Sequence, residues 1–355
     1  RTVNPAGLEL ATTYTYDPQG RVIWVNDANR IYTQTEYDLN GRVTAVVVDP
    51  KKNALWVSGA NNNPDGLELR TEYKYDGMGQ QVTVIEGAGS GESKTTQYTF
   101  DVLGRRTQEV VDATGSLKLT TIYTYDANDN VVAKTDANDK VSRYVYDRES
   151  RLVYSVDPNG AVVRIQYDLE GRVSRTRAYA KPIVIGSLGL AITAEDITNS
   201  PLTLDDTADQ VSVNVYDKDG RLSISVDAMG YATKRVYDAA GNVTSVRRYA
   251  AKAGTVSIAK NSVDGALVSF SAPTLTANDA LDQVEQTSYD SANRPIWSVN
   301  ALNGVTRRYF DGNGNVTQTT RYFNPMTGIL TTNGTPTVAA DTQDPSRDQT
   351  TYTVY

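Results

Sequence analysis

An aromatic residue, then Asp, two free residues, usually Gly and then usually Arg: this phrase recurs eleven times along the 355-residue chain. Its aromatics are Tyr16, Tyr37, Tyr75, Phe100, Tyr125, Tyr146, Tyr167, Tyr216, Tyr237, Tyr289 and Phe310. An internal period constrains a fold more than composition does, because each unit must be buried by its neighbours. The phrase is complete in Tyr16-Asp17 with Gly20-Arg21, Tyr37-Asp38 with Gly41-Arg42, Tyr167-Asp168 with Gly171-Arg172, and Tyr216-Asp217 with Gly220-Arg221. In Tyr146-Asp147-Arg148-Glu149-Ser150-Arg151 a Ser stands where Gly usually does.

Turn chemistry accounts for the phrase. Asp at the first position can accept from the amide two residues on, and Gly at the fourth takes φ > 0 without a Cβ clash. Eight of the eleven copies carry Gly there, and the others carry Asp129, Ser150 and Asn293. The phrase therefore predicts a hairpin tip. On this reading Gly171 needs φ > 0, and Gly171→Val should cost far more stability than Gly160→Ala.

A second and weaker turn signal follows ten or eleven residues later, at Asp27, Asp136, Asp157, Asp227 and Asn300, giving a module of 21 residues. Two strands of about six residues and two short turns fill that length. Leu222, Ile224 and Val226 alternate with Arg221, Ser223 and Ser225, and Val22 with Trp24 keeps the same phase. Period two over so many copies predicts strands.

The modules divide the chain into residues 1–177, with short hairpin loops, and 178–355, where phrase pairs are separated by inserts at 178–210, 249–283 and 322–349. Each insert opens at a Tyr (Tyr179, Tyr249, Tyr322) and closes on Asp-Gln (Asp209, Asp282, Asp348), seven residues before Tyr216, Tyr289 or Tyr355. Thr193 to Ile197 and Thr276 to Asp282 read as short helices with a Thr N-cap. The inserts are expected on one side of the wall, because each leaves at a Tyr and returns through Asp-Gln in the same register. They are expected to cap the sheet or fill its lumen, because Ile183, Val184, Ile185, Leu188, Leu190 and Ile192 are too apolar to hang in solvent. The ends read as the middle of a repeat, so the chain is expected to be a segment of a longer protein, with Asp after Tyr355.

Function classes narrow by composition. There is no His and no Cys, which removes Ser-His and Cys-His catalysis and the common zinc ligand sets. The net charge of −7 without a dense basic run argues against a nucleic-acid track. No apolar stretch approaches the roughly 20 residues of a membrane helix. The Asp and Arg of the phrase are tiled along the chain, as no active site is. Asp126 to Asn130 and Asp311 to Asn315 have the oxygen spacing of a calcium loop but lack its closing acidic residue. No catalytic, cofactor or metal residue is expected.

The phrase Tyr14-x-Tyr16-Asp17-x-x-Gly20-Arg21 resembles the YD repeat of the Rhs/YD-repeat family, which includes bacterial Rhs proteins, cocoon subunits of insecticidal toxin complexes and the teneurin shell. The resemblance covers nearly the whole chain. It implies an all-β fold of tandem antiparallel hairpins, curled or spiralling into a shell with a few short helical or irregular inserts, in a secreted or cell-surface bacterial protein. In that family the shell often encloses a toxic C-terminal cargo. The sequence departs from it in lacking the Asp-Pro-x-Gly-Leu cleavage motif, the nearest match being Asp157-Pro158-Asn159-Gly160-Ala161, so autoproteolysis does not carry over. Physics agrees with curling, since open sheets rarely exceed about ten strands without it. The expected function is a non-enzymatic wall around a protein cargo, without nucleic-acid or membrane partners. The alternative is an adhesion module that takes a receptor or glycan on its loops.

Overall fold

The computed structural model describes residues 2–3, 10–29, 31–50, 66–186, 188–199, 205, 208–254, 258–260, 267–270, 272–323, 344 and 346–354. The fold is all-β, and the strands form where period-two alternation meets turn chemistry. Two compact units are present: residues 1–150 with 185–196, and 151–184 with 197–355.

In the first unit eleven strands, from Thr13–Tyr16 to Val141–Tyr146, each pair antiparallel with the next in sequence. In the second, twelve strands from Leu152–Val156 to Gln349–Tyr352 do the same. A separate small hairpin, Ile258–Lys260 with Leu267–Phe270, lies within the second insert. Among the described residues no helix is long and apolar enough to cross a membrane, which says nothing of spanning by strands.

Alternation gives each sheet one apolar face. In the second unit Val213, Ile224, Val226, Ala232 and Tyr249 form one buried cluster, and Trp297, Val299 and Val305 another, with Tyr322 stacked on Trp297. Val213 faces Val226 and Val299 faces Val305 across the strands, so the pleat places the apolar set on one side.

The single helix among the described residues, Ala194–Asn199, sits in the first insert. Thr193 caps it: its hydroxyl accepts from the Asp196 amide at 3.2 Å, and Asp196 reaches back to the Thr193 amide at 2.7 Å. Thr276 to Asp282 is no helix. A single turn stands there, with the amides of Leu281 and Asp282 donating to the Asn278 carbonyl and the Asp282 side chain taking the Asn278 amide, and the strand Gln283–Tyr289 begins at the next residue. In the first insert Ile183, Ile192 and Ile197 are buried while Val184 and Leu190 are exposed, so only part of the apolar run is covered. Within the first unit Arg143 donates to the carbonyls of Gly189 and Leu188, at 2.7 and 3.3 Å, which ties 185–196 to the last strand. Residues 58–65 of the Gly/Asn-rich loop and most of the third insert lie outside the described residues.

Candidate functional site

Each phrase folds into the same tip. Asp17 Oδ1 accepts from the amides of Gln19 and Arg21, at 3.0 and 2.9 Å, and its Oδ2 takes the Arg21 Nε at 2.6 Å. Asp38 with Arg42, Asp168 with Arg172 and Asp217 with Arg221 repeat this arrangement. The fourth residue is left-handed in every copy, with φ of 79° at Gly20, 81° at Gly41, 59° at Ser150, 79° at Gly171 and 81° at Gly220. The second turns have the same geometry: Asp227 accepts from the amides of Met229 and Tyr231, and Gly160 and Gly230 have φ of 87° and 90°. They looked weaker in sequence only because the flanking Tyr and Arg are missing, not because the turn differs.

Tyr and Arg join one tip to the next. The Tyr37 hydroxyl donates to the Val22 carbonyl at 2.9 Å, and its ring lies under the Arg21 guanidinium, 4.5 Å from the centroid. Arg21 also reaches the carbonyl of Asp38, the next turn, at 3.3 Å. Within the second unit Tyr167 lies under Arg151, Tyr216 under Arg172 and Tyr237 under Arg221, with hydroxyls donating to Leu152, Val173 and Leu222. In the first unit Tyr146 donates to Val131. Tyr16 is exposed. The Arg is thus shared, closing its own turn through Nε and gripping the next through its other nitrogens and its flat face, which suits a planar cation better than an ammonium.

The arrangement holds carboxylates charged. For Asp38, Asp101 and Asp290 the amide of the residue four on outweighs the cost of desolvation and, with the Arg side chain there, keeps the carboxyl below the usual range. The calcium-like loops are used in the same way. Asp311 receives the Asn313 and Asn315 amides and the Asn315 side chain, and Asp126 likewise takes those of Asn128 and Asn130.

The three tips without Gly carry a compensation the sequence did not disclose. Asp129 receives Arg105 at 2.8 Å, Ser150 receives Asn130 at 3.1 Å, and Asn293 receives Asn242 at 2.8 Å. Each of these three residues is held by a side chain from the preceding tip. Asn293→Ala is therefore expected to cost about 1–2 kcal/mol. Its cost should fall by about 1 kcal/mol once Asn242 is already Ala, as a double-mutant cycle in urea would read; additive costs would mean that the bond contributes nothing.

The closing Asp residues of the inserts are clasps. Asp209 accepts from the Ala180 amide at 2.9 Å, the Asp205 amide at 3.2 Å and Arg177 at 2.7 Å. Asp282 takes Ala250, Asn278 and Arg247 in the same way. Asp348 takes Phe323 and Asp344, but Thr320 stands where the other two copies have Arg. The carboxylates of Asp209 and Asp282 have no exposed surface. The constant seven-residue spacing pointed to these residues, but only the folded insert supplies their partners.

The RHS repeat family model matches residues 125–155 and 216–253. No curated protein matches the chain. Among solved structures, a Tc holotoxin pore of Photorhabdus luminescens is 16% identical at a TM-score of 0.38 over 88% of this chain. A TcdB2–TccC3 complex is 15% identical at a TM-score of 0.34 over 90%. The chain spans 17% and 18% of the respective matched chains.

Proposed function

We propose that this chain, whose modules are RHS repeats of the Rhs/YD-repeat type, is a length of non-enzymatic structural wall in a larger secreted or surface protein. The observation that carries this is the double join between modules. The repeat strands hydrogen-bond one another in order within each unit, and most tips are also gripped by the Arg of the one before, as Asp238 and Tyr237 are by Arg221. Such a chain gains stability by adding neighbours, as repeat arrays do, and its repeated polar groups bond one another. By the resemblance of its phrases to the Rhs family, the wall curls around another part of the polypeptide, a toxic cargo in bacterial members, and keeps it from solvent.

The test uses the parent polypeptide with a short protease site placed in the segment thought to be enclosed. That site is expected to stay uncut under native conditions and to be cut after urea. Cleavage at equal rates in both conditions would overturn enclosure.

A further inference from the structure

The charges of the second unit are segregated in a way that no run of sequence displays. Its twelve strands carry eleven Lys and Arg and a single carboxylate, Glu285, although the whole chain is at −7. Among the described residues the other carboxylates lie in turns and inserts, where amides and arginines hold those such as Asp168, Asp217, Asp209 and Asp282.

On the face that bears the clasps the cations fall into register. Arg164 stands opposite Arg177, Lys234 opposite Arg247 and Arg307 opposite Thr320. Arg177 and Arg247 are neutralised by Asp209 and Asp282 from the insert bases. Arg164, Lys234 and Arg307 have no ion-pair partner among the described residues; Arg164 rests on Tyr154 at 5.5 Å, and Arg307 on Trp297 at 4.7 Å and Tyr309 at 4.4 Å beside the Tyr322 hydroxyl. Arg164 and Arg307 are half-buried and Lys234 is exposed.

From this we infer that the clasp-bearing face of the second unit docks an extended acidic polypeptide whose carboxylates seat on Arg164, Lys234 and Arg307. Asp209 and Asp282 already show that a segment laid over this face delivers carboxylates to the row. A like-charged pair directly across two strands, such as Arg164 with Arg177, is unfavourable until each member has a counter-charge, and Asp209 supplies only one. The three open cations are each four strands apart, roughly 19 Å at the usual strand spacing, which an extended peptide covers in about six residues. A nucleic acid fits less well, since its phosphates are far denser than this row and the acidic turns flanking it repel a long polyanion.

The inference does not rest on enclosure: failed protease protection with intact peptide binding would remove the first reading and keep the second. The probe is a fluorescent peptide of neutral residues with Glu at positions about six apart, titrated onto the 355-residue chain at low salt. Binding is expected to weaken at least about tenfold in the combined variant Arg164→Gln, Lys234→Gln, Arg307→Gln. It should be unchanged in Arg235→Gln, Arg308→Gln, Arg321→Gln on the opposite face. A charge-reversed variant, Arg164→Glu, Lys234→Glu, Arg307→Glu, should instead take the same peptide with Lys for Glu, which a merely misfolded protein would not do. No binding by the wild-type chain, equal loss from the opposite-face variant, or tighter binding of single-stranded DNA than of the peptide would each overturn the inference.

Discussion

Asp209→Ala is expected to lower stability by about 3–5 kcal/mol, because it removes a fully covered carboxylate from Arg177, whose side chain is only 8% exposed. The loss has two parts. The amides of Ala180 and Asp205 lose their acceptor, and the guanidinium loses its contact with the Asp209 carboxylate. Asp348→Ala removes only the first kind of partner, the amides of Phe323 and Asp344, and is expected to cost about 1–3 kcal/mol. Urea midpoints at constant slope compare the two, and equal costs would show that the Arg177 pair adds nothing. Combining Asp209→Ala with Arg177→Leu should recover part of the loss, since an apolar pair of similar volume tolerates burial that a lone charge does not.

Acid should open the second clasp. Burial opposes the charge on Asp282, yet the Ala250 and Asn278 amides and Arg247 prevail and hold its carboxyl below the usual value. Its folded pKa is thus below the unfolded one, so this contribution is complete above the ordinary carboxylate range and is lost as pH falls through the folded value.

Gly160→Ala is expected to be the most damaging of the turn-glycine changes to Ala in the second unit, at about 3 kcal/mol or more, against about 1 kcal/mol for Gly171→Ala. Both residues have positive φ, 87° and 79°, so backbone strain does not separate them. Space does. A Cβ at Gly171 would meet only the mobile end of Arg151, at 3.4 Å, whereas at Gly160 it would run into the Ile183 carbonyl oxygen. That backbone cannot retreat, because the Ile183 amide donates to the Gly160 carbonyl at 2.8 Å. In sequence terms Gly171→Val stands against Gly160→Ala on backbone strain alone, and the Ile183 carbonyl adds a cost at Gly160 that strain does not contain. Matching urea midpoints for the two Ala variants would mean that the insert yields at little cost.

The sequence by itself determined the tips, the strand phase and the module length. Those properties are local: an Asp that accepts from residues two and four ahead, a left-handed fourth residue and a side-chain period of two all act within a few positions. Even so, Thr276 to Asp282 misled, because the long-range bonds of Asp282 to Ala250 and Arg247 and the strand that starts at Gln283 leave room for a single turn. Tertiary structure alone decided what each tip leans on. Asn242 meets Asn293 from 51 residues away, Gly160 meets Ile183, and Arg177 finds Asp209 across an insert. The cation row is of the same kind. Arg164, Lys234 and Arg307 lie 70 and 73 positions apart, too sparse to read as a basic patch, and they share a face only because antiparallel pairing converts equal register into equal direction.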